Sequence, residues 1–112
     1  MMLGDLIARL TDEDDATSAL ESLGDIVLLA EVRKMGEFWA ETPAAYLAGS
    51  ARRFAATAGD EDWLGLMAEM ERADDPARAA LVRMLRWALV RDAAEVAGKG
   101  HQHCQGGCGG HA

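Results

Sequence analysis

Every histidine and every cysteine of this chain lies between positions 101 and 111: His101, His103, Cys104, Cys108 and His111. Thiolate sulfur and imidazole nitrogen are the donors that borderline and soft transition metals prefer. A tetrahedral ion needs four donors converging on one point. Cys104-x3-Cys108-x2-His111 supplies three, and His101 or His103 supplies the fourth. Two cysteines with two histidines form a normal closed zinc set, which puts zinc first. The His-x-His pair and the thiols also suit nickel, copper(I) or cobalt, and affinity order alone does not choose among them. The setting fits such a site. Six of the fifteen residues 98–112 are glycine, half of the chain's twelve. Glycine spacers let a short loop fold back around an ion at little steric cost. The segment is too polar and too flexible to join a core. It is read as a flexible metal-binding tail, 98–112, attached to a body of residues 1–97.

The spacing departs from familiar metal motifs. A zinc finger separates its cysteine and histidine pairs by about a dozen residues that form secondary structure, and there is no room for them here. The Cys-x-x-Cys-His haem motif is absent. The Cys-x3-Cys-x2 spacing is similar to the cluster loop of radical SAM enzymes, with His111 where their third cysteine stands. That likeness covers eight residues, and the chain is too short for the barrel those enzymes need. Three other readings of the tail stay open: incidental donors in a disordered terminus, a Cys104–Cys108 disulfide, and a redox thiol pair. A reducing compartment argues against a permanent disulfide.

The elements that must carry this tail read as helices. Apolar residues recur at spacings of three and four, no strand-like alternation appears, and both prolines stand where helices begin. Thr42-Pro43 and Asp75-Pro76 each offer a capping oxygen followed by proline at the first helical position, where its missing N–H is harmless. A short helix is expected near 3–10. Thr11, with Asp14 three residues on, is expected to cap a second helix running to about Ala40, which Gly24 and Gly36 could bend or split. Leu28, Val32, Met35 and Trp39 make its stripe, and 26–30, apolar on every face, is placed at the centre. A third helix spans Pro43 to about Ala58, with Leu47, Ala51, Phe54 and Ala58 on one face and Gly59 as C-cap. Asp60 is expected to cap a fourth, about 61–73, with Trp63, Met67 and Met70 inward. A fifth runs from Pro76 to about Ala97 and ends at Gly98. The fold class is therefore all-α, a compact bundle of about five helices. The broad apolar surfaces of the second and fifth helices are expected to pack on each other, with self-association through either as the alternative.

Composition narrows the function. The net charge is −8, and residues 1–30 hold seven acids against one base. Such a field repels a phosphate backbone, so no nucleic-acid partner is expected. A helix-turn-helix at Gly59-Asp60 is excluded because residues 60–75 hold seven acids and one base, Arg72. No apolar run approaches the roughly 18 residues of a membrane span. The start lacks a signal peptide's basic and apolar regions, so a soluble, cytoplasmic protein is expected. The body contains no histidine or cysteine, hence no Ser–His or Cys–His dyad and no Glu-x-x-His di-iron pair. No phosphate loop or dinucleotide fingerprint appears. Glu31, Glu37, Glu41, Glu69 and Glu71 are read as exposed helix-face acids. Met35, Met67, Met70 and Met84 are read as core packing rather than copper ligands. Arg78, Arg83, Arg86 and Arg91 are read as solvated or acid-paired.

The expectation is a non-enzymatic, transition-metal-binding accessory protein: a metallochaperone, metal store or metalloenzyme-maturation factor. Its body docks on a protein partner or metalloenzyme client while the tail captures the ion. The alternative is a helical interaction module or small subunit whose tail senses metal or redox state. An exposed glycine-rich arm lacks the preorganised, partly dry site that catalysis requires.

Overall fold

A computed structural model of the protein describes the backbone of residues 3–10 and 12–107; the side chains at 3, 6, 13 and 99–107 fall outside that description. The described residues form six helices and no strand: α1 (Leu3–Arg9), α2 (Glu13–Ser22), α3 (Ile26–Phe38), α4 (Pro43–Thr57), α5 (Asp60–Arg72) and α6 (Pro76–Gly107). The expected all-α bundle is present, with one helix more than anticipated. The long helix over 11–40 is two, because Gly24 takes a positive φ of 67° and Asp25 restarts the chain as an N-cap, its Oδ1 accepting from the Leu28 N–H at 3.0 Å. A left-handed residue closes one helix and the next carboxylate opens another.

Two expected caps are displaced by one residue. Asp12, not Thr11, caps α2, accepting from the backbone N–H groups of Asp14 and Asp15 at 2.8 and 3.3 Å; Thr11 lies outside the described residues. Gly59 is the N-cap of α5 rather than the C-cap of α4, with φ −81°, and Asp62 reaches back to accept from its N–H at 3.2 Å. The proline starts hold as read: Thr42 Oγ1 accepts from the Ala45 N–H at 3.1 Å, and Asp75 Oδ1 from the Arg78 N–H at 3.1 Å.

The turn after α3 makes a demand that its sequence does not advertise. The Glu41 N–H bonds the Gly36 carbonyl at 2.7 Å and the Ala40 N–H bonds the Glu37 carbonyl at 3.1 Å. This is the paired bonding of a Schellman stop, which needs a left-handed residue between, usually glycine. Here that residue is Ala40, at φ 60°. Gly36 lets the chain fold back, since a Cβ on it would stand 2.8 Å from the Glu41 carbonyl oxygen. An alanine pays a steric penalty in this conformation that glycine does not. Ala40→Gly is therefore expected to stabilise the fold by about 0.5–1 kcal/mol, measured by urea denaturation; a loss of stability would show that the turn is not strained.

α4 lies at the centre. It packs against α1, α2, α3 and α6, while α5 packs on α6. Ala44, Tyr46, Leu47, Ala48, Ser50, Ala51 and Phe54 of α4 are all buried. They meet Leu28 and Val32 of α3, Leu66 of α5 and the α6 stripe Leu81, Met84, Leu85, Ala88 in one core. The expected packing of α3 on α6 is found. The placement of 26–30 at the centre is not: only Leu28 is fully buried there, and Ile26 and Val27 are 83% and 70% exposed. On α5 Trp63 and Met70 pack against the core as expected and Leu66 is fully buried beside them, while Met67 is 54% exposed. A run apolar on all sides carries no phase of its own, so its neighbours decide which side faces in. No helix among the described residues is long and apolar enough to cross a membrane.

Candidate functional site

The metal-ligand candidates follow directly from α6. Its backbone remains helical ten residues beyond Ala97, through Gly107. The expected stop at Gly98 is absent because Gly98 keeps a negative φ, and an interior glycine weakens a helix without ending it. His101, His103 and Cys104 thus stand on helical backbone, with side chains outside the description; Cys108 and His111 lie outside the described residues altogether. Among the described residues, no group of three or more His, Cys, Asp or Glu side chains could hold a metal. The acids proposed as bystanders behave as such: Glu31, Glu37, Glu41 and Glu71 are exposed, and Glu69 pairs with Arg83.

What anchors the base of this arm is a polar cluster that sequence reasoning missed. Asp92 of α6 is 2% exposed. Both its oxygens are claimed by α4: Arg53 donates to Oδ1 at 2.9 Å and to Oδ2 at 2.8 Å, and the Tyr46 hydroxyl donates to Oδ2 at 2.5 Å. The forked guanidinium matches a carboxylate's geometry, so this contact fixes both the rotation and the height of α6 against α4. Burial opposes the Asp92 charge more than any other single influence. The hydrogen bonds from Arg53 and Tyr46 together outweigh it and hold the carboxyl below its ordinary range. Burial, then the Asp92 carboxylate, push the Tyr46 phenol far above its ordinary range, which keeps it a donor. A signal existed: the stripe Leu81, Leu85, Ala88 advances by four, three and four residues onto Asp92.

Above this cluster is an open groove of about 750 Å³ lined by Trp39, Glu41, Ser50, Arg52, Arg53 and Glu95, among others. Its charges are mixed and its buried polar atoms are satisfied: the Ser50 hydroxyl donates to the Tyr46 carbonyl at 2.7 Å. Further down α6 the arginines are tethered. Arg78 donates twice to the Leu23 carbonyl, at 3.0 and 2.7 Å. Arg86 meets Asp25 at 3.5 Å, and Arg91 meets Asp62 at 4.0 Å while lying over the Trp87 ring. Arg83 crosses α5 to Glu69 through the space left by the missing side chain of Gly65. These contacts tie α6 to the other helices from Arg78 to Asp92. No protein family, curated protein or solved structure matches the chain.

Proposed function

We propose that this protein is a transition-metal-binding accessory protein, a metallochaperone, metal store or maturation factor, whose helical body docks on a partner while the segment beyond residue 98 captures the ion. The observation that carries the reading is the confinement of all three histidines and both cysteines to 101–111, within a glycine-rich run. The clamped stem of α6 supports it: Arg53 and Tyr46 fasten Asp92 to α4 nine residues before His101, the first donor candidate. Donors that follow the last described core residue in the chain contribute little to the fold and exchange their ion readily, which suits delivery over a permanent structural site. His101, His103, Cys104, Cys108 and His111 are the donor candidates; zinc is the first choice of ion, with nickel, copper(I) and cobalt as alternatives. The client is a metalloenzyme or another protein.

Elemental analysis of the untagged protein, purified reduced and anaerobically, tests this. Near-stoichiometric metal is expected in the parent, and none in the Cys104→Ser/Cys108→Ser variant. A metal-free parent that takes up neither Zn²⁺, Ni²⁺ nor Cu⁺ on titration overturns the reading.

A second reading rests on the exposed apolar side chains Ile26, Val27, Leu64 and Val90, each at least 69% exposed. They suit a helical interaction module or small subunit whose tail is a sensor. Metal-independent partner binding by the Cys104→Ser/Cys108→Ser variant favours it.

A further inference from the structure

α3 carries a second, outward face. Its inner residues, Leu28, Val32 and Gly36, are buried, and the helix packs on α4 and α6. Val27, Glu31, Lys34 and Phe38 are all exposed. They follow one another at steps of four, three and four residues, the steps of a coiled-coil seam. Val27 and Phe38, at its two ends, are 70% and 54% exposed. Among the described residues, no ion pair engages Glu31 or Lys34 between them.

The order apolar, acid, base, apolar is its own complement when reversed. Val27 and Phe38 stand equally far from the midpoint between Val32 and Arg33, and so do Glu31 and Lys34. A two-fold axis at that midpoint, perpendicular to the helix, lays a second α3 antiparallel on the first. Val27 then meets Phe38 of the second copy, Glu31 meets Lys34 of the second copy, and symmetry repeats both contacts. A parallel pair would instead set Glu31 against Glu31 and Lys34 against Lys34, which like charge opposes. Ala30, exposed beside the seam, adds no bulk to hold two helices apart. The exposed Val90 of α6 has no such match. It lies beside Arg83, Arg86 and Arg91, whose charges Glu69, Asp25 and Asp62 of the same chain already meet.

We infer that the outer face of α3 docks a second copy of this chain, antiparallel, as a two-fold dimer. No metal-donor candidate takes part, so the dimer stands or falls independently of the metal-binding reading. The 13 residues of α3 make a seam about 20 Å long. That is at the small end of specific interfaces, so the dimer is reversible, with a Kd on the order of 10–100 μM. The central charges set partner and orientation more than they add affinity.

The test is sedimentation equilibrium of the untagged full-length protein, reduced and with a chelator present, so that neither disulfides nor metal link copies. The weight-average mass is expected to rise with concentration from 12.0 kDa toward twice that value. Val27→Asp changes an exposed position; it is expected to leave the circular dichroism unchanged and weaken dimerisation about tenfold or more. Glu31→Lys and Lys34→Glu each set like charges face to face and are expected to weaken it about fivefold or more. The double variant exchanges the charges and should return to within about twofold of the parent. A parent that stays at 12.0 kDa up to about 1 mM overturns the inference. So does a Val27→Asp variant that dimerises as the parent does, because another face then carries the contact. A double variant as weak as the single ones overturns the antiparallel pairing.

Discussion

Arg53→Met is expected to lower the free energy of unfolding by about 3 kcal/mol at pH 7. The substitution keeps most of the aliphatic volume and removes the forked donor, leaving Asp92 as a buried carboxylate with the Tyr46 hydroxyl as its remaining partner. The magnitude sits at the low end for a broken buried pair because the Arg53 side chain is itself 45% accessible, whereas that of Asp92 is 3% accessible. The pH dependence has a definite sign. In the parent, the carboxyl of Asp92 is depressed in the fold. Its contribution is therefore complete above the unfolded value, near pH 4, and is lost only as pH falls through the depressed value. Without Arg53, burial dominates and the folded value rises above the unfolded one. Protonation of Asp92 then favours the fold, so the deficit is largest at pH 7 and shrinks toward pH 5. Urea denaturation at both pH values measures this. Adding Asp92→Asn to the variant should recover part of the loss at pH 7 and flatten its pH dependence. A deficit equal at pH 7 and pH 5 would show that Asp92 does not carry the effect.

Phe54→Ala is expected to cost about 3–5 kcal/mol, a large part of the 5–15 kcal/mol typical of a whole domain. Phe54 is fully buried on α4, and its ring stands edge-on to two indoles, Trp63 of α5 at 5.0 Å and Trp87 of α6 at 5.2 Å. Truncation removes a large apolar side chain and two favourable aromatic contacts at once. Because these rings are part of the contact of α5 with α4 and α6, its packing loosens along with the loss of stability. Tryptophan emission should shift to the red in the native state, where Trp63 and Trp87 gain water. Phe54→Leu, which refills most of the cavity, should lose markedly less stability than Phe54→Ala. If Phe54→Ala lost under about 1.5 kcal/mol, that would show that the site collapses around the gap.

Much of the architecture was legible because its signals are local. Thr42-Pro43 and Asp75-Pro76 mark helix starts through the chemistry of two adjacent residues, and both are found in place. The stripe of Leu47, Ala51 and Phe54 is buried as its spacing requires. Failures arose where the deciding partner is distant or the local rule is permissive. Nothing in 26–30 says which side faces in; α4 and α6 choose Leu28 and expose Ile26 and Val27. Ala40 accepts a left-handed turn because Gly36 and Glu41 close around it. Asp92 looks like a surface acid in sequence, and only the arrival of Arg53 and Tyr46 from a helix some forty residues earlier makes it a core residue. The donor candidates of residues 101–111 are conspicuous by type and spacing alone. That His101, His103 and Cys104 stand on helical backbone is not, since glycine at 98, 100, 106 and 107 argues for a loop.

The central position of α4 also orders events during biosynthesis. α1, α2 and α3 bury surface against α4, so while only the first forty residues have emerged from the ribosome they have no common surface to close upon. At a synthesis rate on the order of 5–20 residues per second, α4 becomes available a second or more later. The assembly remains open until α6 has supplied its buried positions through Asp92. The histidines and cysteines follow Asp92, the last buried residue among those described, in order of synthesis. Every described core position is therefore made before the first thiol or imidazole of the chain.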